Sequence, residues 1–177
     1  MTTINSFAPQ IRADARILIL GSMPGAASLA AGQYYAHPRN AFWPIVCAWC
    51  GISPEIAYAN RISAMHDARI GVWDVLASCQ RLGSLDSAIT RNAAQPNDLM
   101  AVLQRCPTLE RVCFNGAAAA AFYRRQRYAN GAVELLRLPS TSPAHTMPIA
   151  EKMRLWHKAL RLYQRATLHT SPTRNPG

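Results

Sequence analysis

The chain has 177 residues, of which 50% are hydrophobic and 16% are charged, a composition that excludes a disordered protein and fits one globular domain. Its net charge is +10, from 19 Lys+Arg against 9 Asp+Glu, and all the cations except Lys152 and Lys158 are arginines. Such a surface suits a polyanionic partner, because guanidinium groups pair with phosphate oxygens bidentately and release condensed counterions. A basic surface without such a partner is the alternative.

The sequence carries no sign of export or of membrane insertion. No apolar run approaches the ~20 residues that cross a bilayer, and the N-terminus lacks the basic-then-apolar order of a signal peptide. Five cysteines, an odd number, fit a reducing compartment better than a disulfide framework. We therefore expect a cytoplasmic protein that does not contact membranes.

Short apolar runs alternate with helical segments along the chain. Residues 1–15, the stretch from Gly21 to about Arg39 and the stretch Ser78–Asn97 are predicted to be irregular. Four runs are typical of buried parallel strands: Arg16–Leu20, Ile70–Val75, Leu109–Phe114 and Val133–Leu138. Helices are predicted at Asn40–Trp49, from Pro54 (after Ser53 as N-cap) to about Ala64, from a cap at Asn97 or Asp98 through Arg105, after Asn115-Gly116 to about Arg127, and at about Ala150 to Arg165.

This alternation predicts a three-layer α/β/α fold with a central four-stranded parallel sheet. We expect a single domain at 1–165 and a disordered tail at 166–177. Ligands bind beyond the carboxyl ends of the strands in such sheets. The segments that fall there are Gly21–Asn40, Asp74 with the loop after it, Asn115-Gly116, and Pro139–Pro148. They are also the segments richest in Gly, Pro, Asn, Ser and His, so a polar site is predicted at this edge.

The segment GQYYAHPRNAFW combines flat rings with polar groups. Its ring faces come from Tyr34, Tyr35, Phe42 and Trp43, and its polar edges from His37, Arg39 and Asn40. Stacking on aromatic rings together with hydrogen bonds to base edges is how flipped or single-stranded bases are held. Core packing is the alternative for Phe42 and Trp43, and for one of them it is favoured.

Two further loops carry weaker signals. GSMPG, at Gly21–Gly25, lets backbone amides approach a ligand closely, although a plain strand-to-helix turn explains it equally well. In STSPAHT, the hydroxyls of residues 140–142 suit phosphate binding, and His145 can donate a proton near neutral pH. For this segment alone a solvated turn is favoured.

No metal or other cofactor is expected. Cys47 and Cys50 form a CxxC on a predicted helix without a second pair, so buried thiols are favoured over a metal site. On the last helix, basic residues recur on one face, at Arg154, Lys158, Arg161 and Arg165. This face could follow a phosphate backbone, and a solvated face is the equal alternative.

Taken in order, GSMPG, QYYAHPRNAFW, VWDVLASC–R–GSLDS, FNG and LPSTSPAH resemble the hypoxanthine-DNA glycosylases of the uracil-DNA glycosylase superfamily, over about residues 16–163. The resemblance implies a four-stranded parallel sheet flanked by helices, and excision of a deaminated base, principally hypoxanthine, from DNA. In much of the superfamily an Asp or Asn of the first motif activates water, whereas Ser22 and Met23 stand there in this chain. In the hypoxanthine branch an Asn of the HPRN segment, here Asn40, takes that role, and the Asn after the third strand, here Asn115, is also implicated.

We expect a monomeric enzyme in which each of these residues has a separate role. We expect Asn40 to orient the attacking water, Asn115 to bind the base edge, Tyr35 to stack on the base, and His145 to neutralise the leaving base or grip a flanking phosphate. The base pocket is predicted to include Gly21, Ser22, Met23 and Phe42 as well. The DNA backbone is predicted to contact Arg39, Ser140, Thr141 and Ser142.

The same residues argue against a lyase, which needs an amine nucleophile. Both lysines are predicted on the last helix, away from the strand-end loops. A monofunctional glycosylase acting on DNA that contains deaminated bases is therefore expected. Two alternatives remain: the same fold acting mainly on uracil or xanthine, and a non-catalytic nucleic-acid-binding module.

Overall fold

The computed structural model describes residues 3–90, 93–126 and 131–161. Within these ranges the chain forms seven strands, six α-helices and one short 3₁₀ turn. In chain order they are β1 (Thr3–Asn5), β2 (Ile17–Gly21), α1 (Ala26–Ala31), α2 (Phe42–Cys50), α3 (Tyr58–Asp67), β3 (Ile70–Asp74), β4 (Leu76–Gln80), the 3₁₀ turn Asp86–Ala88, β5 (Gln95–Pro96), α4 (Leu99–Arg105), β6 (Arg111–Asn115), α5 (Ala117–Arg125), β7 (Glu134–Leu138) and α6 (Ile149–Arg161).

The four predicted strands form one parallel sheet in the spatial order β3-β2-β6-β7. Every residue of β2 and β3 is buried, which explains why these strands are continuous apolar runs instead of alternating ones. The register places Gly21 beside Asp74, and Asn115 beside Leu138, so the polar strand ends meet at one edge. The predicted α/β fold with a central four-stranded parallel sheet is confirmed.

The helices cover the sheet with large apolar side chains. Helix α2 packs against α3 and α6, while α5 packs on β6 and β7. Phe42 of α2 and Trp156 of α6 are fully buried and meet edge to face, with ring centroids 6.1 Å apart. Because α2 begins at Phe42, this packing fixes the helix end that faces the strand-end loops.

A second, antiparallel sheet of order β1-β4-β5 differs from the prediction, which treated its segments as irregular. Strand β4 buries Leu76 and Cys79 in a small cluster with Met23 and Ile89, apart from the main core. Strand β1 has three residues and pairs with β4, more than seventy positions away in the sequence, so no local sequence pattern predicts it. This sheet supports the loop that follows β2.

Two helices also differ from the prediction. Helix α1 lies inside the segment predicted to be a loop, and Gly32 ends it in the left-handed conformation, at φ 62°. Helix α3 begins at Tyr58, later than predicted, because the Ser53 hydroxyl accepts a hydrogen bond from the Glu55 amide in a turn that precedes the helix. The predicted extension of α6 to Arg165, the end of α5 at Arg127 and the tail at 166–177 lie outside the described residues.

None of the helices in the described ranges has the length and apolar character needed to cross a membrane.

Candidate active site

A cavity of about 290 Å³ opens at the carboxyl ends of β2, β3 and β6. This volume lies just below the usual range for small-ligand pockets, about 300–1,000 Å³. All four predicted loop segments contribute to its wall, and a fifth segment, Ser84–Asp86, adds to them.

The cavity brings together most of the predicted site residues. Those lining it are Gly21, Ser22, Met23, Tyr35, Asn40, Asn115, Ser140, Thr141 and Ser142. Arg39, Phe42 and His145 do not line it. Arg39 is exposed, where contact with a DNA backbone stays a prediction.

Tyr35 presents its ring to the cavity from a constrained backbone. Its φ of 56° is in the left-handed region, which costs a residue with a side chain about 1–2 kcal/mol. The ring stacks on Phe42, with centroids 3.9 Å apart and planes at 19°. Phe42 is 0% exposed, so the prediction that it touches the base is wrong, and it supports Tyr35 from behind.

Asn40 lies two residues before α2, where its side chain is held by the backbone. Asn40 Oδ1 accepts a hydrogen bond from the backbone N–H of Phe42 at 3.0 Å, and the backbone N–H of Asn40 donates to the carbonyl of His37 at 2.8 Å. These bonds fix the side-chain amide at the cavity wall, because an Asn that bonds two residues ahead replaces a backbone turn.

Asn115 and Thr141 form a closed pair of hydrogen bonds. Asn115 Nδ2 donates to Thr141 Oγ1, and the Thr141 amide donates to Asn115 Oδ1, both at 2.8 Å. The Thr141 carbonyl accepts from the Ala41 amide at 3.0 Å. Thr141 is 1% exposed, so it braces the site and does not offer its hydroxyl to the DNA backbone as predicted. The Asn115 amide, held by this pair, lines the cavity.

Asp74, to which the sequence analysis gave no role, is the most buried carboxyl group on the cavity wall. It is 3% exposed, and its Oδ2 accepts a hydrogen bond from Ser6 Oγ at 3.0 Å. Burial raises its pKa to about 7, and the nearby Asp86 also raises it, while bonds from Ser6 and Tyr34 and the charge of Arg81 lower it. The sequence does carry a signal for this residue, since a carboxylate stands in the last position of an otherwise apolar strand.

Gly21 makes room for this carboxyl group. A Cβ at this position would lie 2.5 Å from Asp74 Oδ1 and 3.1 Å from Tyr35 Oη. The first motif therefore needs glycine at this position, because any side chain on residue 21 would occupy the space where the Asp74 and Tyr35 side chains meet.

Ser22 and Met23 are bound into the structure rather than free to react. Ser22 Oγ donates to Asp86 Oδ1 at 2.5 Å, and Met23 is buried in the cluster beneath β4. Burial raises the pKa of Asp86, and the hydrogen bond from Ser22 opposes this. Because Ser22 and Asp86 are 64 positions apart in the chain, no local pattern could have indicated the contact.

His145 lies outside the cavity, and its side chain is exposed, so the structure does not support its predicted catalytic role. Its carbonyl accepts a hydrogen bond from Lys152 Nζ at 2.8 Å, and the Ser142 carbonyl accepts from the same ammonium at 3.3 Å. Lys152 is 4% exposed. The expectation that both lysines lie away from the strand-end loops is therefore wrong for Lys152, which holds the loop Pro139–Pro148 from below.

In the part of the chain that the structure describes, no three His, Cys, Asp or Glu side chains are grouped to hold a metal ion. Cys47 is buried and Cys50 is half-buried, and burial raises the pKa of the Cys50 thiol to about 11. Both thiols are therefore protonated at neutral pH.

Residues 8–164 match the model of the family described as the uracil DNA glycosylase superfamily. The chain belongs to this superfamily. Membership identifies it as a DNA glycosylase and confirms the family resemblance of the five motifs.

Relatives and a solved structure agree with this assignment. A protein of Methanosarcina barkeri described as hypoxanthine DNA glycosylase is 38% identical over 111 residues, which cover 62% of this chain and 69% of the relative. A second of the same description, from Methanosarcina acetivorans, is 35% identical over 133 residues, 75% of this chain and 82% of the relative. The solution NMR structure of a Methanosarcina acetivorans protein, provisionally described as a uracil DNA glycosylase, superimposes with a TM-score of 0.79 at 30% identity, over 92% of this chain and 99% of that one.

Proposed function

We propose that this DNA glycosylase flips hypoxanthine out of deoxyinosine-containing DNA and hydrolyses the bond between the base and its sugar, leaving an abasic site. The observation that carries the proposal is the cavity wall, where the Tyr35 ring, backed by Phe42, lies beside the amide groups of Asn40 and Asn115. A flat face beside groups that both donate and accept hydrogen bonds suits a flipped base. The two relatives described as hypoxanthine DNA glycosylases support the choice of base.

The chemical step requires little proton transfer by side chains of the protein. The glycosidic bond stretches toward an oxocarbenium-like sugar while negative charge develops on the departing base, and preorganised donors stabilise that charge. Asn40 orients the water at the anomeric carbon, because its amide is fixed at the cavity wall by the bond to Phe42. Asparagine is a poor base, but a dissociative transition state needs a positioned water more than a deprotonated one.

The base edge is bound at the inner part of the cavity. Asn115 presents its side-chain amide, and Asp74 adds a carboxyl group that is partly protonated near pH 7. A protonated carboxyl can donate to a base carbonyl, whereas the ionised form can only accept. The cost of flipping the base adds to the selectivity for deaminated bases. Flipping costs a few kcal/mol, and the cost is lowest when the base pair is weak.

The enzyme acts as a monofunctional glycosylase. Lys152 Nζ is bound to two carbonyls and lies outside the cavity wall, and Lys158 is exposed on α6. Neither amine reaches the reacting sugar, so no Schiff base forms. Borohydride should trap no covalent protein–DNA adduct during turnover; an adduct that vanishes in Lys152→Met would refute this part of the proposal.

One assay tests substrate and activity together. The protein is incubated with duplexes that carry hypoxanthine, uracil or xanthine, and the abasic sites are then cleaved with alkali. We expect the fastest cleavage with hypoxanthine. Cleavage mainly at uracil or xanthine would reassign the substrate, and DNA binding without any cleavage would favour a binding module.

Asn40→Ala tests the role of the fixed amide. We expect its excision rate to fall by about 10²-fold or more, the usual cost of losing a positioning group at a reacting centre, while DNA affinity stays within about twofold. Full activity would remove Asn40 from the mechanism. Ser142→Ala, which changes another residue of the cavity wall, serves as the comparison and should affect affinity more than rate.

We propose that the enzyme acts as a monomer. Size-exclusion chromatography with light scattering, at the concentration of the activity assay, tests this. A dimer whose dissociation abolishes excision would contradict it.

A further inference from the structure

The backbone on both sides of Tyr35 is held by side chains from other segments. Trp43 Nε1 donates a hydrogen bond to the Tyr34 carbonyl at 2.8 Å, and the Ala36 backbone N–H donates one to Ser28 Oγ at 3.2 Å. These two backbone groups belong to the peptide bonds that precede and follow Tyr35. Side chains therefore hold the orientation of both peptide planes between which Tyr35 adopts its left-handed φ of 56°.

A third side chain holds Tyr34 from the other direction. The Tyr34 backbone N–H donates to Tyr58 Oη at 3.2 Å, so side chains bind both backbone polar groups of Tyr34. The rings of Trp43 and Tyr58 meet edge to face, with centroids 5.7 Å apart. Arg61 Cζ lies over both rings, 4.8 Å from the Trp43 centroid and 5.6 Å from that of Tyr58, which is within the reach of cation–π attraction.

These contacts connect two helices to the ring on the cavity wall. Tyr58 and Arg61 lie three positions apart on the first turn of α3, and neither lines the cavity. Trp43 is 3% exposed and follows Phe42 directly on α2. Adjacent residues of one helix thus fix Tyr35 in two ways, since Trp43 binds the peptide before it and Phe42 stacks on its ring.

We propose that Ser28, Trp43 and Tyr58, together called the Tyr35 clamp, are positioning residues that hold the Tyr35 ring where the flipped base stacks on it. The clamp rests on the proposed function, in which the base lies against this ring. A left-handed backbone is unfavourable for a residue with a side chain, so it persists only where the surroundings hold it. Because the ring is ordered before DNA binds, stacking a base on it carries no further ordering cost.

Two substitutions that each remove one hydroxyl group test the clamp. Tyr58→Phe deletes the acceptor of the Tyr34 backbone N–H, and Ser28→Ala deletes the acceptor of the Ala36 backbone N–H. With both changes together, single-turnover excision of hypoxanthine paired with cytosine should slow by about tenfold or more, because a small displacement of a positioning group lowers the rate. The Kd for the same duplex should change by less than about threefold, since phosphate contacts dominate duplex affinity.

A double-mutant cycle with Tyr35 separates positioning from a general loss of structure. In a Tyr35→Ala background there is no ring to position, so the two clamp substitutions should change the remaining rate by less than about twofold. The matched control is Ser53→Ala, which deletes the acceptor of the Glu55 backbone N–H in the turn before α3 and should leave the wild-type rate unchanged. A wild-type rate in the double clamp variant overturns the proposal. An equal fold loss with and without the Tyr35 ring also overturns it, because the clamp residues would then act on the fold or on the base directly.

A readout without substrate distinguishes the clamp from the proposed function. Because the Tyr35 ring stacks on Phe42 with centroids 3.9 Å apart, its ring-proton resonances should be shifted upfield in NMR spectra of protein labelled at tyrosine. These resonances are identified by their absence in Tyr35→Leu, and their upfield shift should shrink in the double clamp variant. An unchanged shift overturns the clamp. If the shift shrinks while the wild type fails to excise hypoxanthine, the clamp holds Tyr35 as proposed and the proposed substrate is wrong.

Discussion

Asp74→Asn should make the protein more stable at high pH and remove a pH dependence that the wild type carries. The pKa of Asp74 rises from 3.8 to about 7 in the folded protein, mainly because the group is buried. Each step of one in pKa is worth 1.36 kcal/mol, so the folded state loses about 4 kcal/mol of stability when the group is forced to ionise.

The sign follows from proton binding in the two states. Between about pH 4 and pH 7 the folded protein holds a proton on Asp74 that the unfolded chain has released, so the free energy of unfolding falls as pH rises through this window. Below pH 4 both states are protonated, and above pH 7 both are ionised, so the contribution levels off. An Asn cannot ionise, and it preserves the shape of the carboxyl group and an oxygen for the Ser6 hydroxyl.

Urea denaturation at pH 4, 5, 6, 7 and 8 measures the effect. The stability of Asp74→Asn relative to wild type should grow by about 4 kcal/mol from pH 4 to pH 8, a large share of the 5–15 kcal/mol typical of a folded domain. Asp67→Asn is the control: its side chain is 70% exposed and pairs with Arg12, so its relative stability should shift by less than about 1 kcal/mol. Parallel curves for wild type and Asp74→Asn across the whole range would refute the assignment of a buried, proton-holding carboxyl.

Two further substitutions have matched controls. Gly21→Ala places a methyl group 2.5 Å from Asp74 Oδ1 and should lower the excision rate at least about tenfold while the circular dichroism spectrum stays unchanged. Gly25→Ala is the control, because an added Cβ there meets Ser84 only at 3.6 Å and should leave most of the activity. Equal losses of activity in the two variants would contradict the role given to Gly21. Lys152→Met leaves two loop carbonyls without their donor, so it should lower the free energy of unfolding by about 2 kcal/mol and weaken the affinity for duplex DNA measured by fluorescence anisotropy. Lys158→Met, at an exposed position, should leave the free energy of unfolding unchanged. An unchanged urea midpoint for Lys152→Met would show that the Lys152 ammonium does not hold the loop.

Strands β2 and β3 were predictable because each is a nearly continuous apolar run, ended by Gly21 in β2 and by Asp74 in β3. Strands β1 and β4 were not, because a three-residue strand gains its stability from a partner far along the chain and not from its own pattern. Helix α1 is six residues long and is flanked by glycines, which hides it among turn signals.

The site was predictable where its chemistry is local, as with Tyr35 and Asn40 in one loop. The error at Phe42 was avoidable, since Phe42, Ile45 and Val46 have the i, i+3, i+4 spacing of a buried helix face. The roles of Thr141 and Lys152 were not predictable, because each depends on which loop lies within hydrogen-bond reach after folding.

The Asn115–Thr141 pair has a consequence for how kinetic data on this enzyme should be interpreted. Asn115→Ala would remove the proposed base contact and would also release Thr141, whose carbonyl accepts a hydrogen bond from the Ala41 amide next to Asn40. A rate loss in that variant therefore combines an effect on base recognition with a displacement of the Asn40 amide, which we propose orients the water. Thr141→Val keeps the backbone bonds and the shape but lacks the hydroxyl, so it measures the bracing share alone, and a double-mutant cycle between the two positions separates recognition from scaffolding.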